Sequence, residues 1–266
     1  MPYPLFVVDA FTRSRFGGNQ AAVMPLAAWL PEALMQAIAT ENNLSETAFV
    51  VKDDNGVFHI RWFSPLAEID FCGHATLASA HVLFGENPQA SRLRFYAKAV
   101  GELVVTKGDE GLIEMSFPNR APQACEAPAA LLAGLEPKPR QVLKSAQAYF
   151  AVYGSEAEVR ALKPDLEALK TLAPFDVVAT APGDSHDFVS RYFWPANGGA
   201  EDPVTGSIHA GLTPYWAERL SKAALHAFQA SARGGELFCR LEGERVLVAG
   251  YCVSYLKGSV ELGEAL

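Results

Sequence analysis

Glu46, His74 and Asp202 are the side chains of this sequence whose types and settings suit proton transfer at carbon. Glu46 lies in Leu44-Ser45-Glu46-Thr47-Ala48-Phe49, at the mouth of a strand-like run with mostly uncharged neighbours. Partial burial there would raise its pKa toward a proton-shuttling value, whereas the plainer reading is a solvated acid that begins a strand. His74 sits where a helix opens at Gly73, so the positive helix end is expected to lower its pKa and keep a neutral ring able to give or take a proton. A histidine satisfied within a helix cap is the other reading. Asp202 stands before Pro203 and four residues before Gly206, where it either joins the chemistry or simply stabilises the start of a second helix.

Other chemistries find less support. The six histidines show no HxxxH or HExxH spacing, and His74 and His81 lack an evident carboxylate partner set, so no metal ion is expected. GxSxG elbows, Walker loops and strand-linked GxGxxG turns are absent from the sequence. With 30 acidic against 22 basic residues, the net charge of −8 speaks against a nucleic-acid partner, which would need a basic stripe. Anionic small molecules remain compatible with it, because local dipoles can bind them. Cys72, Cys125, Cys239 and Cys252 are scattered without CxxC spacing, the N-terminus lacks a basic signal region, and no apolar run approaches about 18 residues. A cytoplasmic protein that does not enter membranes is expected.

The elements that must position these groups can be read from pattern. Strand-like runs cover Leu5–Val8, Thr47–Val51, Val57–Phe63, Tyr149–Tyr153, Val177–Ala181 and Phe188–Phe193, with more strands in 92–117 and a β-rich tail over 245–260. Helices are expected after Pro31, over Cys72–Phe84, around Glu156–Leu162 and Asp165–Leu172, and from Gly206 through Leu220. Asp53-Asp54-Asn55-Gly56 is a hairpin turn. Prolines crowd the stretch 118–139, which places a domain boundary near Asn119 to Pro122.

An internal echo ties these pieces together. Arg61-Trp62-Phe63-Ser64-Pro65 precedes an acidic loop and Gly73-His74-Ala75-Thr76; Arg191-Tyr192-Phe193-Trp194-Pro195 precedes an acidic loop and Gly206-Ser207-Ile208-His209. The offsets are 130 residues for the corner and 133 for the glycine, which suggests a duplicated unit. Two glycine-led helix starts brought face to face would hold a carboxylate or a developing enolate with unpaired N–H groups, and a cleft between the halves is then the expected active site.

At these residues the sequence resembles the phenazine-biosynthesis PhzF-like isomerase family, within the diaminopimelate epimerase-like fold. The matching stretches are Val8-Asp9-Ala10-Phe11 with Gly18-Asn19, Glu46-Thr47-Ala48-Phe49, Cys72-Gly73-His74-Ala75-Thr76 and Glu201-Asp202-Pro203-Val204-Thr205-Gly206-Ser207. The resemblance implies an α/β (α+β) chain of two pseudo-symmetric halves, each a curled, barrel-like β-sheet around a central α-helix. The N-terminal half is 1–118, with the tail 256–266 packing on it, and the C-terminal half is 119–255. It further implies Glu46 as principal general acid/base, His74 and Asp202 assisting proton movement, and Asn19, Gly73, Gly206 and Ser207 binding a small carboxylate substrate. No cofactor is implied, and a homodimer is. Gln20, where the loop usually has proline, and Ala230-Ser231-Ala232-Arg233-Gly234-Gly235, a loose match to a downstream glycine pattern, depart from the family and leave substrate choice open.

Two other readings stay in play. Epimerases of this fold use paired cysteines, and here Cys72 occupies the first place but Thr205 the second, so two-thiol racemisation is disfavoured while a Cys72-dependent dehydratase or epimerase is conceivable. The third reading is a metabolite-binding protein without turnover.

Overall fold

The stretch Gly73–Glu86 is apolar on all sides, a pattern for a helix enclosed by other elements. In the computed structural model, which describes residues 2–263, every residue from Gly73 to Phe84 is buried except His81. Its buried hydroxyls fold back on the helix: Thr76 Oγ1 donates to the Cys72 carbonyl and Ser79 Oγ to that of Ala75. The described chain divides into two units, one holding the residues through Ser116 together with those from Ala249 onward, the other Phe117–Val248.

The first unit contains β1 (Tyr3–Ala10), β2 (Asn19–Leu26), α1 (Glu32–Asn42), β3 (Glu46–Lys52), β4 (Phe58–Phe63), β5 (Glu68–Ile69), α2 (Gly73–Glu86), β6 (Arg92–Ala97) and β7 (Gly101–Lys107). The chain leaves it within β8 (Ile113–Pro118). β2 and β3 are parallel, with Ala21 opposite Glu46; β3 and β4 are antiparallel, and β4 runs parallel to β6. α2 packs on β1, β2, β3 and β7. The β3–β4 turn forms as the sequence indicates: Asp53 Oδ1 accepts from the N–H groups of Asn55 and Val57, and Gly56 has φ +78°.

The second unit adds β9 (Gln123–Ala124), α3 (Ala129–Gly134), β10 (Gln141–Lys144), β11 (Ala148–Val152), α4 (Glu156–Ala161), α5 (Leu166–Lys170), β12 (Asp176–Pro182), β13 (Phe188–Phe193), β14 (Glu201–Asp202), α6 (His209–Leu220), β15 (Ala224–Gln229) and β16 (Gly235–Glu242). The chain crosses back within β17 (Arg245–Gly250). β18 (Cys252–Val260) then pairs antiparallel with β1, Tyr3 opposite Val260, and residues 264–266 of the tail lie outside the described residues. β11 and β12 are parallel, β12 and β13 antiparallel, and β13 runs parallel to β15. This is the order of the first unit again. The fold is mixed α/β, dominated by sheet.

The corner motif now has a physical reason. Arg61 forks onto both oxygens of Glu68 at 2.7 and 2.6 Å, and Arg191 onto both oxygens of Glu201 at 2.8 Å. Each guanidinium also lies over the motif's phenylalanine, Arg61 at 5.1 Å from the Phe63 ring and Arg191 at 5.0 Å from Phe193. In each unit a charge-assisted fork fixes the short returning strand that delivers the chain to its helix.

One expectation needs correction: α6 opens at His209, not at Gly206. Residues 206–208 form a tighter turn, in which the N–H groups of His209 and Ala210 reach the carbonyls of Gly206 and Ser207. The cause is local, because Nδ1 of His209 lies 2.9 Å from the Thr205 carbonyl and occupies the acceptor that an α-helical His209 N–H would use. Among the described residues no helix is long and apolar enough to cross a membrane.

Candidate active site

Three elements of the first unit begin at the same place. β2 opens with Asn19, β3 with Glu46 and α2 with Gly73, preceded by Cys72. Gly18 makes the first entry: at φ +63° its missing Cβ would stand 2.0 Å from the Ala10 carbonyl oxygen, so only glycine fits the turn. Asp9 braces this loop, its Oδ2 accepting from the Phe16 N–H at 2.9 Å.

The side chains converge as buried groups. Oε2 of Glu46 lies 2.9 Å from Nε2 of His74, both residues less than a tenth exposed. The ring N–H is not aligned with that oxygen, so the close approach leaves Oε2 without a well-directed donor. On the far side of the ring, Nδ1 is 3.2 Å from Asn19 Nδ2 and 3.4 Å from Cys72 Sγ. Ser45 donates to Asn19 Oδ1 at 3.0 Å, which turns the amide NH2 toward Nδ1 and, in the neutral ring, favours the proton on Nε2, beside Glu46.

The electrostatics revise the reading of His74. Burial alone would lower its pKa, as the helix end was expected to do, but the neighbouring Cys72 and the Glu46 carboxylate together hold it well above the ordinary histidine value. Cys72 is itself held up: burial, reinforced by Glu46, pushes its thiol to about 11. The donor atoms of Glu46, Cys72 and His74 lie within 4.8 Å of one another, close enough for a cation that accepts a thiolate. A separate hollow of about 760 Å³ in this unit is walled by Trp29, Arg61, Trp62, Glu68 and Tyr96, and none of the four converging residues lines it.

In the second unit the corresponding residues are tied down. Thr205 Oγ1 donates to Asp202 Oδ2. Gln229, fully buried at the end of β15, accepts from the Thr205 N–H at 2.9 Å and donates to the Asp202 carbonyl at 2.7 Å. Ser207 Oγ accepts from Gln147 Nε2 at 2.9 Å; the same nitrogen reaches the Tyr192 hydroxyl, which donates to Asp176. Asp176 is raised by burial, and Tyr192 is driven well above its usual range by burial and by Asp176. Sequence reading missed Gln229, Gln147, Tyr192 and Asp176; only Gln229 left a trace, as a polar residue closing an alternating apolar strand.

The family of phenazine biosynthesis-like proteins, PhzC-PhzF, matches residues 8–258. An uncharacterized isomerase of Pseudomonas aeruginosa is 50% identical over 256 residues, covering 96% of this chain and 97% of its own. A PhzF-family protein of Enterococcus faecalis, known from its crystal structure, superposes with a TM-score of 0.94 at 45% identity over 98% of this chain and 100% of that one. A probable proline racemase from Agrobacterium radiobacter shares the fold alone, with a TM-score of 0.64 at 10% identity, over 98% of this chain and 93% of that one. With Glu46 and His74 set side by side in a fold that follows these relatives from end to end, this chain belongs to the phenazine biosynthesis-like PhzC-PhzF family and is an isomerase.

Proposed function

We propose that the enzyme moves a proton from one carbon to another of a small carboxylate substrate, with Glu46 as general acid/base. The observation that carries this reading is the buried Glu46 carboxylate, 2.9 Å from His74 Nε2 and with no aligned donor on Oε2. As a carboxylate, Glu46 takes a proton from a carbon conjugated with the substrate's carboxylate, and the C–H electron pair moves into the conjugated system. The carboxylic acid so formed returns the proton to a second carbon, leaving an isomer and the original Glu46. His74 steadies the carboxylate while charged. The first-turn N–H groups of α2, beginning at Gly73, offer their positive end to the substrate anion, with Asn19 beside them. Asp202 is assigned to assist proton movement, and Gly206 and Ser207 to bind the substrate. The scheme calls on no metal or organic cofactor.

The test is incorporation of solvent deuterium into a panel of small cyclic, unsaturated or amino-substituted carboxylates, read by mass shift in heavy water. Isomerisation with exchange that vanishes in Glu46→Gln supports the reading; binding without exchange in wild type sinks it in favour of a metabolite-binding protein. The Cys72 reading draws on the 3.4 Å approach of Sγ to His74 Nδ1. Full activity in Cys72→Ser removes it, and abolished turnover would transfer the chemistry from Glu46 to the thiol.

As part of the same proposal, the two units descend from one duplicated sheet-and-helix plan, each sheet curled around its helix; the recurring strand order and the twin arginine forks support this. We place the enzyme in the cytoplasm as a homodimer; its four free cysteines suit a reducing compartment.

A further inference from the structure

A second cluster of ligand-type side chains lies in the second unit, unused by the chemistry above. His226 comes from β15, Glu236 from β16 and His186 from the loop between β12 and β13. In the β15–β16 pairing His226 is opposite Phe238 and Glu236 opposite Phe228, so the histidine and the glutamate are diagonal neighbours on one face. Nε2 of His186 is 3.8 Å and Nε2 of His226 is 3.9 Å from the same oxygen, Glu236 Oε1.

The donors are held in place by contacts of their own. The loop carrying His186 is pinned on both sides: Asp184 N–H donates to Glu156 Oε2 at 2.8 Å, and Asp187 exchanges 2.8 Å bonds with the backbone N–H and carbonyl of His226. The rings are fixed by stacking, His186 on Phe228 with centroids 5.0 Å apart and His226 on Phe238 at 4.6 Å. Despite this packing, Nε2 of His226 is shut off from solvent and has no hydrogen-bond partner. A buried imidazole nitrogen left bare costs stability unless something occupies it. Glu156, Asp187 and Glu236 bring negative charge around the cluster against Arg160 and Lys222, each of which is already paired with one of these acids.

We propose that His186, His226 and Glu236 form a binding site for a divalent transition cation of the zinc class, tying the 183–187 loop to the β15–β16 hairpin. Two imidazoles and one carboxylate are a donor set that zinc, cobalt and nickel accept. Bonds of about 2.0–2.1 Å at the tetrahedral angle place donor atoms about 3.4 Å apart. The three donor atoms here lie within 4.8 Å of one another, so side-chain shifts of less than about 1 Å each close them on the ion. Glu236 is more than a third exposed, which leaves the cation a route in and a fourth position for water. The spacing in sequence, 40 residues from His186 to His226 and 10 more to Glu236, forms no motif, and the sequence therefore gives no warning of it.

The test titrates Co(II), and then Zn(II) in competition, into the metal-stripped full chain, following the visible cobalt bands and the melting temperature. The expected result is one equivalent of cobalt per chain with no thiolate-to-cobalt charge-transfer band. It includes a higher melting temperature and an affinity lower by more than about 100-fold in His186→Gln and in His226→Gln, since even second-sphere changes cost 10–100-fold. Melting of the metal-free variants checks that they fold. The proposal is overturned by absence of saturable binding, by undiminished binding in the double glutamine variant, or by a charge-transfer band, which would place the metal on Cys72 instead.

Discussion

His74 and His209 hold comparable places, each buried in the first turn of its unit's principal helix, yet they are driven in opposite directions. His74 stays well above the ordinary histidine value because Glu46 and Cys72 overcome the burial that would lower it. Among the described residues no acid lies against His209, whose Nδ1 meets the Thr205 carbonyl, and burial pushes it down to about 4. Neither helix position nor burial decides the charge of such a ring. The presence of an ionisable neighbour does, and it separates a site built for proton traffic from one built to hold a turn.

Glu46→Gln separates the two rings most strongly. The amide keeps the shape but cannot take a proton, so isotope exchange should fall by about 10²–10⁴-fold with the fold intact. In the same variant, the His74 ring followed by nitrogen-15 NMR should titrate at lower pH than in wild type, while His209 should not move. An unchanged His74 titration would show that Glu46 is not what holds its proton.

His209 supplies the next largest effect, on stability. Its folded-state pKa is depressed, so the unfolded chain takes up the proton first, and stability is lost as pH falls from about 6.5 toward about 4. The full loss is about 3 kcal/mol. His74 acts in the opposite sense: its raised pKa adds stability at low pH that disappears as pH rises through the folded value. Urea unfolding of wild type against His209→Asn, whose amide can still donate to Thr205, isolates the first term. Parallel curves between pH 6.5 and 4 would refute it.

Much of the framework was legible because it rests on local pattern. β13 falls on Phe188–Phe193 as read, and α4, α5 and the β3–β4 turn form where caps and turn residues put them. β2, β15 and β16 drew no expectation: Asn19–Leu26 carries two alanines and a proline, weak strand formers that burial between neighbours overrides. Glu46 and His74 were visible as residues in suggestive settings, but their 2.9 Å contact joins positions 28 apart and depends on the packing of α2 against β3, which no local pattern shows. The raised pKa of His74 was misread for the same reason, since the dipole is a local signal and the carboxylate is not. Gln229 meets Thr205 across 24 residues, and no spacing rule anticipates it.

Gln229→Leu probes the tied-down turn of the second unit. Losing the amide leaves the Thr205 N–H without its acceptor in a buried setting, at a cost of about 1–3 kcal/mol in urea unfolding. A variant as stable as wild type would mean that the Thr205 turn holds without Gln229.

The smallest effect concerns a proline inside α6, where α2 has none. An interior proline ordinarily costs about 3 kcal/mol, because the carbonyl four residues back loses its donor and meets the ring. Here the carbonyl deprived by Pro214 is that of Ala210, and the Arg120 N–H occupies it at 3.0 Å. Gly211 leaves room for that approach, since a Cβ there would come within 3.0 Å of the Arg120 carbonyl oxygen. The helix therefore lacks the usual defect, and Pro214→Ala has little to repair. It gains an N–H that must share an acceptor already in use and loses the stiffening that proline gives the unfolded chain, worth about 0.4–1 kcal/mol. The expected change in unfolding free energy is within about 1 kcal/mol of zero; a gain approaching the full proline penalty would mean that the Arg120 bond contributes nothing.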